Sequence, residues 1–475
     1  MVFPFMAVPL MPLTTLNIKN IAATLLHALI VTITAFVVTP NIAWCSQKVD
    51  VNKWEEDIAA YETQLKQGHL DLFHASSEKA FDQKLNLLRS QLPRLSDNKI
   101  LVALMQLTNT IGDGHTAFPL WGAPLHKFPF KFIAVDGKFY VSETTDENAG
   151  LLKAELLSIN GKPVDAIVTM LSEVVPFAEN QYSTSVRIAH YLPVAEVLNG
   201  LGIVDDKYVA QFTFFINGET STVTLEALET QTMNLQLSLD HFHAKAPIKP
   251  IASQKNRQFA SSNKTRIKNG RKHEIKQATQ WLWFTHAKQK NAVYVKFERY
   301  PDMSTMDHFA KELLQFIDNN KSESLIIDLR NNFGGDFFVG LKLAQYLVLA
   351  DSLRWQDGIY VLINNVTFSA AMSNAAQYAR LLNATLVGEP TGAKPKGYQD
   401  MGQFILPNSK RVVSYSKRFY DFSIGPKKGT EASNQYTELK NDAIYPDKLI
   451  SLSIDDYITN TDKQLQWVLE RVKWN

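Results

Sequence analysis

The sequence predicts an α/β protein with a helical N-terminal part, a small β-rich domain and a C-terminal part of alternating strands and helices. Three observations predict it. From residue 292 onward, short apolar runs alternate with amphipathic stretches, the pattern of a mainly parallel sheet covered by helices. Between residues 128 and 226 the apolar period is two, punctuated by Asp136-Gly137, Asn160-Gly161 and Asn217-Gly218 as hairpins are. Between residues 54 and 110 apolar residues recur at helical spacing.

The chain has 475 residues, 45% of them hydrophobic, enough for two or three globular parts at about 100–200 residues each. With 49 Lys+Arg against 47 Asp+Glu it is near neutral, which gives no general case for nucleic acid or an acidic membrane surface. Cys45 is the single cysteine, so disulfides within the chain and thiolate metal clusters are excluded. After Lys19, residues 21–38 are apolar apart from threonines and His27, and Pro40 and small residues around Ala43 follow. Residues 1–45 therefore read as an export signal, and the protein is expected in the periplasm or outside the cell. The apolar run sits at the lower limit for a bilayer span, about 18 residues, so an uncleaved membrane anchor is the alternative. Bulky Trp44 argues against a lipid on Cys45.

Residues 46–120 read as helices that end in a glycine turn. Ala59 and Leu65 mark one stripe, and Phe81, Leu85 and Leu88 another. Ser96 caps a stronger helix, Ile100, Leu101, Leu104 and Leu107, which runs into Gly112. Residues 121–244 form the β-rich domain. Phe130 and Phe132 turn at Asp136-Gly137 into Phe139 and Val141, and the run 209–216 turns at Asn217-Gly218 into Val223 and Leu225. Residues 245–276 are basic, with Glu274 their single acid, and read as a solvated linker or loop. Contact with phosphates or a membrane is the functional alternative for that stretch. Residues 277–475 hold strands at 292–297, 325–329, 359–363 and 385–387, and helices around 309–317, 337–349 and 369–382. A hairpin, 403–406 with 412–415, and a terminal amphipathic helix, 461–474, complete them.

Ser369 opens a helix just beyond the buried strand 359–363. N–H groups there lack intrahelical partners, so the hydroxyl either caps the helix or stands as a nucleophile beside an oxyanion site. The strand 325–329 empties into Asn331-Asn332-Phe333-Gly334-Gly335. Paired glycines let backbone approach backbone or a ligand. Read plainly this is a strand-to-helix turn; read with Ser369, the N–H of Gly334 or Gly335 joins that of Ala370 as an oxyanion donor. His115, inside Gly112-Asp113-Gly114-His115-Thr116, is either a turn histidine or a base. Asp328 and Arg330 read as a buried ion pair. The sequence has no His-x-x-x-His, cysteine pair or phosphate-loop motif, so no metal, cofactor or nucleotide site is expected.

Gly112 to Thr116, Asp328 to Gly335, Thr367-Phe368-Ser369-Ala370-Ala371 and Val387-Gly388-Glu389-Pro390-Thr391-Gly392 occur in that order. Together they resemble the tail-specific (C-terminal processing) serine peptidase family, in the broad sense that includes tricorn-core and retinoid-binding-protein relatives. The match runs from about Ser96 to the C-terminus, and Pro446-Asp447 fits the family's closing pattern. The resemblance implies a crotonase/ClpP-like β-β-α spiral core with a PDZ-like or other β-rich insertion, and residues 156–164 resemble part of a PDZ core. It implies Ser369 as nucleophile, Gly334 or Gly335 and Ala370 as oxyanion donors, no cofactor, and peptides or unfolded protein as substrate.

The base is the open choice. The processing branch uses a lysine, and Lys394 stands about where it falls. However, Gly392-Ala393-Lys394-Pro395 lacks that branch's glycine-lysine-glycine setting, and Met372 stands where a glutamate is usual. The tricorn-like branch uses a histidine from an earlier segment, which His115 supplies. A lysine must be desolvated to act at neutral pH, whereas a histidine needs little tuning. His115 is the preferred base and Lys394 the alternative. A third, orienting acid is expected from the C-terminal part, with Asp442, Glu438 and Asp421 as candidates. Two readings belong to other classes. One is a non-catalytic protein binding apolar ligands or peptides on the same scaffold, with Phe333, Phe337 and Phe338 lining its pocket. The other is a membrane-tethered interaction module using the basic stretch. Ser369 and His115 together favour the enzyme.

Overall fold

The computed structural model describes residues 49–231, 258–268, 271–287, 291–425 and 441–472. The residues of the export signal or anchor, residues 245–257 of the basic stretch, and Glu438 lie outside them. Among the described residues no helix is long and apolar enough to cross a membrane.

The N-terminal periodicity becomes three helices, α1 Val51–Gly68, α2 Glu78–Gln91 and α3 Asp97–Asn109. Each opens on a side-chain cap: Asp50, Ser77 and Ser96 accept the N–H groups of Lys53, Ala80 and Lys99, donors that a helix start leaves unpaired.

Next come β1 His126–Lys127, β2 Phe130–Val135, β3 Lys138–Thr144, β4 Glu155–Ile159, β5 Lys162–Pro163, β6 Val209–Ile216, β7 Glu219–Glu226 and β8 Leu228–Glu229. Strands β2-β3-β4-β6-β7 form an antiparallel sheet in that order, with β5 paired to β4. The three Asx-Gly pairs are its corners, and both residues of each have positive φ, such as 49° at Asp136 and 76° at Gly137. Tight hairpin turns require that geometry. The structure differs from the all-β expectation between residues 164 and 200, which carry α4 Val164–Ser172, α5 Gln181–Tyr191 and α6 Ala195–Gly200. Ile167, Leu171, Ile188 and Val197 fill one core with Phe130, Phe212 and Phe214 of the sheet and Leu101 and Leu104 of α3.

The C-terminal part contains β9 Gln258–Lys268, β10 Arg271–Ala287, β11 Ala292–Phe297, β12 Ser324–Asp328, β13 Ile359–Ile363, β14 Thr385–Gly388, β15 Lys396–Ile405, β16 Val412–Asp421 and β17 Lys448–Leu449. Between them lie α7 Met303–Asn319, α8 Phe337–Leu347 and α9 Ala370–Leu381, and after them α10 Ile454–Thr459 and α11 Lys463–Arg471. Seven strands form one sheet in the order β17-β14-β13-β12-β11-β10-β9, parallel from β11 to β17 and antiparallel at β10 and β9. Alternate residues of the central strands enter different cores. Val295, Ile327 and Val361 pack with Phe309 of α7, Leu343 of α8 and Met372 of α9. Tyr294, Ile326 and Leu362 pack with Leu465 and Val468 of α11. Helices thus cover both faces, as parallel strands with continuous apolar runs demand.

The basic stretch is a correction. Expected as a linker or loop over 245–276, it instead supplies β9 and the first six residues of β10, whose far end pairs with β11 to extend the main sheet. Strand pairing uses main-chain groups, and charged side chains are well tolerated at a sheet edge. The hairpin β15–β16 has a separate task. Main-chain bonds between Ala117 and Ser414, 3.2 and 2.9 Å, tie it to the segment that follows His115.

Candidate active site

Ser369 occupies the N-cap position of α9, yet its side chain makes no capping hydrogen bond. Its φ of 50° and ψ of −126° put a non-glycine residue in the left-handed half of conformational space, a strain of about 1–3 kcal/mol that neighbouring contacts must hold. Those contacts are present. The Phe368 N–H donates to the Asn332 carbonyl (3.0 Å), the Thr367 hydroxyl to the Leu329 carbonyl (3.0 Å), and the Gly392 N–H to the Thr367 carbonyl (3.0 Å). The sharp turn between β13 and α9 is thereby bolted to the end of β12. The capping alternative is set aside, and the hydroxyl faces His115 Nε2 at 2.9 Å.

His115 arrives from the glycine turn after α3. Asp113 Oδ1 accepts the N–H groups of His115 (3.1 Å) and Thr116 (2.8 Å), and Asp113 Oδ2 accepts a hydrogen bond from His69 Nε2 at 2.9 Å. Burial pushes the Asp113 carboxyl up, but the hydrogen bonds from His69, Ser416 and Thr116 outweigh it and hold it below the usual value. The His115 ring is buried and stacks on Phe368, with centroids 5.4 Å apart. Its Nδ1 lies 3.0 Å from Glu179 Oε1. A carboxylate only accepts, so Nδ1 carries the proton and Nε2 is left with a lone pair for the Ser369 hydroxyl.

Glu179 precedes α5, whose N-cap is Asn180. Its Oε2 accepts the main-chain N–H of Lys394 at 2.6 Å, and its own N–H donates to Ser183 Oγ at 2.9 Å. The residue reaches His115 because Gly114 leaves room: a Cβ there would lie 2.1 Å from Glu179 Cγ. None of the acids expected to orient the histidine does so among the described residues. Asp442 Oδ1 accepts the Tyr445 hydroxyl (2.6 Å), while Asp421 is half-exposed and pairs with Lys396 (3.1 Å).

Lys394 meets this chain of bonds through its main chain. Its N–H serves Glu179 and its carbonyl accepts from Gln399 Nε2 at 3.1 Å, while among the described residues its ammonium makes no bond to Ser369 or His115. Gly334 packs edge-on against the serine turn. With φ at 97°, a Cβ on it would stand 2.8 Å from both the Phe368 carbonyl oxygen and Ser369 Cβ, and 3.0 Å from the Ala370 nitrogen. The Gly334 N–H already donates to Asn332 Oδ1 at 2.9 Å. Among the described residues the N–H groups of Gly335 and of Ala370, the first residue of α9, are not committed to a protein acceptor. Asp328 and Arg330 form the expected buried ion pair (2.8 Å), with Asp462 as a second partner of Arg330 (2.8 Å).

The aromatic residues near the serine pack on one another as a wall. Phe368 stacks on Phe333 (5.0 Å), Phe177 meets Phe333 edge-on (5.6 Å), and Trp121 stacks on Phe177 (5.1 Å). Phe338 is exposed. A cavity of about 910 Å³ lies elsewhere, between β2, α5 and the ends of β12 to β14. His69, His74 and Asp113 bring donor atoms within 4.8 Å of one another. His69 has both ring nitrogens committed, since Nδ1 accepts the Asp71 N–H (2.9 Å) while Nε2 donates to Asp113. His74 donates from Nδ1 to the Asp71 carbonyl (2.8 Å) and keeps a lone pair at Nε2, so it is His69 that would have to break its bonds to take a metal ion.

This mixed α/β fold is shared with CPAF. Mature CPAF matches with a TM-score of 0.54 at 12% identity, over 88% of this chain and 96% of that one. Mature CPAF complexed with lactacystin gives 0.54 at 13% identity, over 89% and 97%. The photosystem II D1 C-terminal processing protease gives 0.37 at 13% identity, over 88% and 97%. At such identities the likeness to CPAF speaks for the fold alone. No family model matches the sequence, and no curated protein matches it.

Proposed function

We propose that this chain is an exported serine peptidase that cuts peptides or unfolded protein through an acyl-enzyme on Ser369. The C-terminal part is read as its crotonase-like core and the β-rich part as a PDZ-like insertion. One observation carries the reading: the continuous chain from Ser369 Oγ through His115 Nε2 and Nδ1 to Glu179, with bonds of 2.9 and 3.0 Å.

In this reading His115 takes the hydroxyl proton at Nε2 as Ser369 Oγ attacks the scissile carbonyl. Glu179 holds the ring and balances the imidazolium. The N–H groups of Gly335 and Ala370 meet the oxyanion, a contribution of about 3–4 kcal/mol in comparable sites. His115 then gives its proton to the leaving amine, and water repeats the sequence on the ester. What favours His115 over the Lys394 alternative is that the bonds of Lys394 to this network run through its main chain.

The test is labelling of the mature protein with a fluorophosphonate, comparing wild type with Ser369→Ala, His115→Ala and Lys394→Ala. Labelling is expected in the wild type and in Lys394→Ala, and is expected to disappear in the other two. Loss in Lys394→Ala with survival in His115→Ala would move the base to the lysine. A correctly folded wild type that does not label would sink the enzyme reading.

A further inference from the structure

One buried charge beside this site has no counter-ion. Arg187 lies on α5, two turns after Glu179, and is 6% exposed. Its guanidinium sits 4.0 Å over the Phe333 ring and 5.6 Å from that of Phe368, the residue preceding Ser369. Among the described residues it has one protein acceptor, the Phe177 carbonyl, which Nε reaches at a long 3.5 Å. Its two terminal amino groups have none, and they are not sealed from solvent. Glu179, the nearby anion, is already shared between His115 and the Lys394 N–H. Burial pushes the guanidinium's pKa down to about 9, so it still carries its charge at neutral pH.

Such a charge costs several kcal/mol to bury without a partner. The cation–π contact with Phe333 recovers only part of that cost and leaves the rest unmet. A guanidinium does offer a planar fork of N–H donors matched to a carboxylate. The backbone agrees that the position is specialised: Phe177, whose carbonyl steadies Nε, has φ of 59°, an outlier for an aromatic residue.

We propose that Arg187 binds a side-chain carboxylate of the substrate, so that the enzyme selects peptides with Asp or Glu beside the bond it cuts. The inference rests on the peptidase reading and names its substrate class. The aromatic wall of Phe333 and Phe368 dehydrates the contact, which strengthens a charge-assisted pair and penalises a neutral substitute.

The experiment digests a denatured-proteome peptide library with the mature protein, once native and once with its C-termini amidated, and reads cleavage sites by mass spectrometry. Wild type is expected to enrich Asp or Glu near the scissile bond by at least about tenfold. Amidation should leave that enrichment intact, and an enrichment that disappears on amidation would overturn the proposal. In Arg187→Met and Arg187→Gln, cleavage of carboxylate-bearing peptides should fall about tenfold or more, to the level of their neutral counterparts. Cleavage by wild type without enrichment would overturn the proposal whether or not the variants fold, as would enrichment that survives in a folded variant. Failure of the peptidase reading looks different, because fluorophosphonate labelling and cleavage would then both be absent.

Discussion

At the scale of single residues, the site turns on which nitrogen of His115 holds a proton, and Glu179 decides it. Its Oε2 is fixed on the Lys394 N–H at 2.6 Å, which leaves Oε1 for Nδ1. Glu179→Gln keeps the shape and removes that logic. The amide oxygen must take the Lys394 N–H, so the amide NH₂ faces Nδ1. Nδ1 can then only accept, and the ring proton moves to Nε2, where it confronts the serine hydroxyl. This substitution should lower kcat at neutral pH by about 10²- to 10⁴-fold, the range seen when a base is held in the wrong tautomer. Thermal melting should stay near that of the wild type. Steady-state kinetics on a peptide that the wild type cleaves give the answer, and an unchanged kcat would remove Glu179 from the orienting role.

At the scale of elements, what was legible follows from how local each signal is. Ser369 stands out because a small-residue run follows an apolar strand, and His115 because glycines flank it. Glu179 gives no such signal. It stands 64 residues from His115 in sequence, in a segment where hairpin periodicity dominates, and the family resemblance directs the search for an acid to the C-terminal part. Two local clues were available: Asn180 and Ser183 form a capping box that marks a helix start, and Gly114 leaves space for a side chain to cross. Asn180 also joins three segments. Its Oδ1 accepts the Ser183 N–H (2.9 Å), and its Nδ2 donates to the carbonyls of Thr391 (3.0 Å) and Asp442 (2.6 Å). Asn180→Ala loses a cap, about 0.5–2 kcal/mol, and strands buried carbonyls at about 1–3 kcal/mol each. A clear drop in Tm is expected, with a drop in kcat because Glu179 is the preceding residue. Asn180→Asp keeps the cap but sets a carboxylate oxygen against both carbonyls, so its melting point should fall at least as far as that of Asn180→Ala; equality with wild type would mean the carbonyl contacts contribute nothing.

At the scale of the whole molecule, Ser369 and His115 lie 254 positions apart, so the site exists only when the helical N-terminal part is seated on the sheet's strand ends. The parallel core was legible because burial on two faces leaves unbroken apolar runs. Strands β9 and β10 were not, because their pairing is made by main-chain groups and leaves the side-chain composition free. The same junction makes stability depend on pH. Glu389 lines the cavity of about 910 Å³ beside Arg330 and Tyr457, and burial raises its pKa from 4.5 to about 7. The folded state therefore holds this proton more tightly than the unfolded state. Its favourable contribution is complete below about 4.5 and is lost as pH rises through about 7. At one pKa unit per about 1.4 kcal/mol, the ionised carboxylate costs the fold on the order of 3 kcal/mol by pH 8. Glu389→Gln replaces it with a neutral group of the same size. Melting curves at pH 5 and pH 8 should show the variant close to wild type at the lower pH and higher in Tm at the upper one. A difference of the same size at both values would mean that Glu389 does not titrate between them, and that its environment is more solvated than the cavity implies.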